Sequence, residues 1–177
     1  LLIAVLIGLG FQLAGPAKVV AQEEEPIEVA IAVHLLEVGR LDTTTGTYTM
    51  DFHLSMTCDE PCDPTNFEIK NGEVTSLVLN VDDPTQKVYR VQAVMTTNID
   101  HREYPFDDHD LKLIIEDRSL GVEELVYTVN AEQTGIDPDI VLAGWRLDGD
   151  WEAEVRERVN PLTGDTYSEY TMWITLV

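Results

Sequence analysis

Two cysteines, Cys58 and Cys62, stand in the run Cys-Asp-Glu-Pro-Cys. In an oxidising compartment so close a pair can close a small loop. A zinc site needs about four ligands, and no second cysteine pair or histidine pair completes one. A local disulfide is favoured over metal, and two free thiols are the third option. The histidines at 34, 53, 101 and 109 show no metal spacing. Acidic clusters recur: Asp59-Glu60 with Asp63, Asp82-Asp83, Asp107-Asp108 with Asp110, Asp137 with Asp139, and Asp148 with Asp150. Calcium takes such oxygens, so calcium stays open as a ligand. None of the clusters has EF-hand spacing, and solvated, turn-capping carboxylates are the plainer reading. No Gly-x-Ser-x-Gly, phosphate loop or nucleophile–base pair is present. With 33 acidic residues, a glycosidase-like carboxylate pair is a chance match. The chain reads as a non-enzyme with no assigned cofactor or metal.

The elements that must position these groups are strands. Ile27, Val29, Ile31 and Val33 alternate with Glu28, Ala30 and Ala32, predicting a half-buried strand to about Val38. Arg40 to Gly46 is a turn. Thr47 to Thr57 sets Tyr48, Met50, Phe52, Leu54 and Met56 on one face, and Thr49, Asp51, His53 and Ser55 on the other. Phe67-Glu68-Ile69 predicts a short strand before an Asn71-Gly72 turn. Further strands are expected over Val74 to Val81, from Lys87, over Leu111 to Glu116, Glu123 to Val129, Trp151 to Val159, and Tyr167 to Val177. Asn160 to Asp165 is a turn, and Gly135 to Asp139 a loop. No window has sustained helical periodicity. About ten strands at short intervals predict an all-β, immunoglobulin-like antiparallel β-sandwich.

The chain has 177 residues, enough for one domain, and a formal net charge of −22. Such a charge excludes a nucleic-acid partner, which needs basic patches. It draws cations to the surface instead. Leu1 to Leu13 is nearly all apolar and too short to span a bilayer comfortably. Val19-Val20-Ala21 then precedes the polar Gln22-Glu23-Glu24-Glu25. Residues 1–21 read as an N-terminally incomplete signal peptide, with an uncleaved anchor as the weaker alternative. Residues 22–177 read as an extracytoplasmic domain, periplasmic or extracellular.

The run Tyr104-Pro105-Phe106-Asp107 cannot be ordinary strand. Pro105 lacks a backbone donor and belongs at an edge, bulge or turn. This stretch resembles the signature loop of the pentameric ligand-gated ion channels, the Cys-loop receptor superfamily. The family pattern reads aromatic-Pro-aromatic-Asp, then a polar residue, often Gln, then cysteine. Here His109 takes the polar place and Leu111 the cysteine place, while the family's first cysteine falls at Thr97. The loop disulfide is therefore missing, as is typical of prokaryotic members. The first hairpin also resembles the family's, although Cys58 replaces its usual tryptophan. The Ile136-Asp137 loop followed by Gly144-Trp145 resembles the family as well. The family's Trp-x-Pro-Asp run is absent. The resemblance covers Ile27 to Val177.

That resemblance implies a sensor domain binding a small molecule between the subunits of a homopentamer, with a membrane pore domain C-terminal to this chain. His53, five residues before Cys58, takes the complementary aromatic place. Arg118 stands where amine-binding members carry an aromatic ring. It would grip a carboxylate, unless it is a surface arginine paired with Asp117, Glu123 or Glu124. Tyr167 and Tyr170 take the places of capping-loop aromatics, with packing in the sheet as the other reading for Tyr170. Tyr104, Pro105, Phe106 and Asp107 would pass ligand closure to the pore. The alternative is a secreted or periplasmic soluble β-sandwich that binds a small molecule, sugar or calcium and has no pore.

Overall fold

The computed structural model describes residues 25–98, 109–140, 145–147 and 151–177. The expected signal peptide, the Tyr104–Asp107 loop, Gly144, Asp148 and Asp150 lie outside the described residues. The described residues form ten strands: β1 (Ile27–Val38), β2 (Thr47–Thr57), β3 (Phe67–Ile69), β4 (Gly72–Asp83), β5 (Gln86–Thr96), β6 (His109–Asp117), β7 (Leu125–Val129), β8 (Gly135–Ile136), β9 (Glu152–Val159) and β10 (Thr166–Leu176). They make an all-β sandwich. One sheet runs β4-β5-β2-β1-β7, with β8 also on β1, and the other runs β3-β6-β10-β9. Among the described residues there is no helix, so none is long and apolar enough to cross a membrane.

Period-two alternation builds the core. Phe52, Leu54 and Met56 of β2 and Val91 and Met95 of β5 are fully buried, facing Leu111 and Ile115 of β6 and Tyr170 of β10. In β1 the core cluster takes Val29, Ile31, Val33 and Leu35 and then jumps to Val38. A bulge between Leu35 and Glu37 causes the jump, because one extra residue flips the following side chains. The turn into β2 closes at Gly46, whose φ of 68° lies in the left-handed region glycine enters freely.

Three local expectations are revised. Glu123 and Glu124 belong to a turn, not to β7: the amides of Glu124 and Leu125 both donate to Gly121 O. Gly135–Ile136 is a short strand parallel to β1, not plain loop. Asn71-Gly72 is not a hairpin turn. It passes the chain from one sheet to the other, and Gly72 is the first residue of β4. An added Cβ there would meet Val94 O at 2.8 Å and Met95 Sδ at 2.6 Å, so glycine serves close approach.

Asn71 itself joins the sheets. Its side-chain amide donates to Lys112 O (2.7 Å), and its side-chain oxygen accepts from Ile114 N (3.0 Å). Its backbone carbonyl accepts from Thr96 N (2.8 Å). Tyr48 does the same from β2: its hydroxyl donates to Lys112 O (2.8 Å) and accepts from Lys112 N (3.0 Å). Because β3 pairs only with the last three residues of β6, these side chains occupy the open edge of β6 that β3 leaves.

Candidate functional site

The β9–β10 hairpin is where the capping loop was expected. Its turn is closed by Asn160 N to Asp165 O (2.8 Å) and by Gly164, at φ +82°. Opposite it lies the segment between β6 and β7. Asp117, 2% exposed, ends β6 by accepting from the amides of Ser119 and Leu120, both at 2.8 Å. This Asx turn aims the following residues at the hairpin. Val122 N then donates to Thr166 O at 2.9 Å. Between hairpin and segment opens a cleft of about 440 Å³, lined by Ser119, Val122, Glu123, Glu124, Asp165 and Tyr167 among others. Its charged side chains are all carboxylates, an environment suited to a cation or a polar neutral ligand.

The four expected ligand contacts do not come together within one chain. Tyr167 is half-buried and lines the cleft. Tyr170 is 0% exposed in the core between the sheets, which corrects its expected capping role. Burial pushes its phenol up to about 12, the nearby Thr134 hydroxyl offsetting part of the rise without forming a hydrogen bond of good geometry. Alternation explains the split: Tyr167 and Tyr170 are three apart, so they point to opposite faces. Arg118 is 62% exposed and does not line the cleft. It lies 3.8 Å from Glu68, a partner outside the three acids expected from sequence. His53 is half-buried on the outward face of the other sheet, opposite His34 and Arg90 in register.

Beside His53, a polar group escaped the sequence reading. Asp51, 8% exposed, accepts from Arg90 Nε (3.0 Å), Arg90 Nη2 (2.9 Å) and Gln92 Nε2 (2.8 Å). The Arg90 hydrogen bonds hold its carboxyl below the usual aspartate range. A native value below the unfolded one of about 3.9 contributes stability above that pH, lost as pH falls through the native value. Asp51→Asn is expected to cost about 1–2 kcal/mol at neutral pH and to flatten the acid limb of the stability curve. Urea titrations across pH check both, and an acid limb unchanged in the variant removes Asp51 from this role.

Cys58 and Cys62 are joined by a disulfide, with Cα atoms 6.3 Å apart. The amides of Cys58 and Cys62 donate to Thr85 O and Pro84 O, both at 2.9 Å, fastening the bridged loop to the β4–β5 turn. Among the described residues, no group of three or more His, Cys, Asp or Glu side chains is placed to hold a metal ion.

The opposite end of the sandwich gathers the segments flanking the Tyr104–Asp107 loop. Thr97 N donates to Gly46 O in the β1–β2 turn (2.8 Å), and Thr97 Oγ1 donates to Asp110 O (3.2 Å). Where a disulfide between 97 and 111 would tie the loop, a hydroxyl bond joins its two sides and Leu111 fills the core. Asp110 Oδ1 accepts from Thr175 Oγ1 at 2.9 Å. His109, 7% exposed, meets Trp145 edge to face at 5.0 Å. Arg146 and Val177 exchange two backbone hydrogen bonds. Leu176 is opposite His109 in register, so the last residue lies at the same end of the sandwich as the β1–β2 turn and both flanks of the loop.

No family model matches the chain. Over 151 residues it is 22% identical to a protein of Gloeobacter violaceus named "Proton-gated ion channel", a match covering 71% of this chain. The chain spans 42% of that relative's length.

Proposed function

We propose that this chain is the extracellular ligand-binding domain of a ligand-gated ion channel, assembled as a homopentamer. The observation that carries the reading is the convergence of the β1–β2 turn, both flanks of the Tyr104–Asp107 loop and Val177 at one end. A pore domain following Val177 would meet all three, and the loop would pass movement to it. Distant similarity to a channel supports the same reading. Ligand sits between neighbours: Tyr167 and Arg118 come from one subunit and His53 from the next. Their separation within a single chain accords with a shared site. The acidic cleft favours a cation, including the proton, over the carboxylate that Arg118 would take. An extracytoplasmic location and removal of residues 1–21 belong to this reading.

Self-association has a surface to use. The first sheet is wider than the second, so Leu77 (50% exposed) and Leu79 (44%) overhang on the core-side face of β4, an edge strand. Long apolar edges invite partners. Burying two leucines contributes about 1.5–3 kcal/mol each, so Leu77→Lys with Leu79→Lys is expected to weaken assembly by well over about tenfold. Light scattering measures it. Unchanged oligomer mass in the folded double variant places the interface elsewhere.

The channel reading is tested by expressing the complete gene product in a cell membrane and stepping the bath from about pH 7 to about pH 5, across the histidine range. Acid-evoked current is expected. A surface-expressed product silent to acid and to a panel of small cations overturns it. A product that is secreted and monomeric supports the soluble binding module.

A further inference from the structure

The outward face of the second sheet carries an ion-pair ladder that the proposed function does not use. Glu116 on β6 and Glu169 on β10 are opposite each other in register, and their side chains are 5% and 3% exposed. Two carboxylates so placed repel each other and are shielded from water. Cations on β9 and just beyond β3 compensate them. Lys70 reaches Glu116 at 3.1 Å, and Arg156 reaches Glu169 at 2.6 Å. Among the described residues Arg158 alone reaches both, with Nη1 3.3 Å from Glu116 and Nε 3.6 Å from Glu169. It therefore ties the edge strand β9 across β10 to β6.

Arg158 also stands at the point where the hairpin leaves the sheet. Pairing of β10 with β6 begins at Glu169. The residues before it, Thr166 to Ser168, pair only with β9, and Arg158 is opposite Tyr167 in that free part. Apolar packing holds β9 at Ala153 and Val155, half-buried against the core, but not at its hairpin end, where Val159 is 60% exposed. Besides the ladder, the free part is held by Val122 N to Thr166 O and by Tyr127 N to Ser168 Oγ, both at 2.9 Å. To these two neutral hydrogen bonds Arg158 adds a charged restraint, hydrogen-bonded to the buried Glu116 and paired with the buried Glu169.

We propose that Arg158 is a latch: by bridging Glu116 and Glu169 it fixes the hairpin, and with it Tyr167, over the cleft, and the hairpin swings only when that bridge opens. Its meaning for ligand rests on reading the cleft as the binding site. Arg158 is a positioning residue, acting through Tyr167.

Amide hydrogen exchange of Val122 reports the hairpin's movement directly, because that amide is bonded across to Thr166. In the full chain, Arg158→Met is expected to speed Val122 exchange about tenfold or more, equivalent to about 1.4 kcal/mol of local opening. Amides of β2 and β5 keep their rates. Arg158→Lys, which keeps the charge without the fork, restores part of the protection. Glu116→Gln, the second variant, removes one acceptor at constant shape and speeds Val122 exchange as well. Unchanged Val122 exchange in either folded variant overturns the latch. So does acceleration shared equally by β2 and β5, which marks global destabilisation. No ligand enters the measurement, so its failure leaves the channel reading standing, and a silent channel leaves the latch intact.

Discussion

Above about pH 10 the chain is expected to lose stability by as much as about 4 kcal/mol per pH unit, through three buried phenols acting together. Tyr48, Tyr127 and Tyr170 are at most 2% exposed. Burial raises all three from the ordinary tyrosine value, Tyr170 to about 12 and the other two further. A raised native value favours the neutral phenol in the folded state. The stabilising contribution is therefore complete below the unfolded value of about 10 and falls as pH rises through the native values. Each such group loses about 1.4 kcal/mol per pH unit, and domains have only about 5–15 kcal/mol in hand. Phenolate absorbance and circular dichroism should change together in one cooperative step. Phenolates appearing one at a time with the sheets intact would show that the three are reached by water without unfolding.

Tyr48→Phe should cost about 2 kcal/mol at neutral pH, since it removes two hydrogen bonds and leaves the Lys112 amide without its hydroxyl partner. The Tyr48 hydroxyl is both donor and acceptor to the same residue on the facing sheet. Phenylalanine keeps the ring and its packing, so the change isolates the hydroxyl. Asn71 still reaches Lys112 O at 2.7 Å, whereas Lys112 N donates to the Tyr48 hydroxyl at 3.0 Å. The expected signature is faster exchange of the Lys112 amide together with a urea midpoint shift at unchanged slope. A loss under about 0.5 kcal/mol would mean that water takes the place of the hydroxyl.

Much of the fold was legible because alternation is a local signal. The spans of β1, β2 and β3 follow from residue type alone, and the buried face of β2 is the predicted one. Asn71-Gly72 misled because an Asn-Gly pair looks the same whether the next strand folds back or crosses to the other sheet. Asn71 and Gly72 lack the positive φ that a two-residue hairpin turn of this kind requires. The Cys58–Cys62 bridge was among the stated options, and the short separation favoured it. The site was less legible. Tyr170 fell to the core by parity, which could have been counted along Tyr167 to Val177. The Asp51–Arg90 and Glu116–Arg158–Glu169 groups depend on register between distant strands, which no local pattern encodes. A weak clue was the spacing Glu154-x-Arg156-x-Arg158 against a lone Glu169 on an otherwise uncharged strand.

Strand β1 has a consequence for the order of assembly. It pairs antiparallel with β2, its neighbour in the chain, and parallel with β7, where Ile27 meets Leu125. As the chain emerges during synthesis, β1 and β2 can zip early, and β5 and β4 can add to them as hairpins. The other edge of β1 waits until nearly a hundred further residues have followed, by the Ile27–Leu125 separation. Closing so long a loop is slow, and parallel pairing adds to the delay. Through that interval a half-built sheet carries an open apolar edge on both sides, β1 on one and β4 on the other. Export machinery or chaperones that hold the nascent chain would act on this intermediate, and the rate at which β7 docks would set how long it needs them.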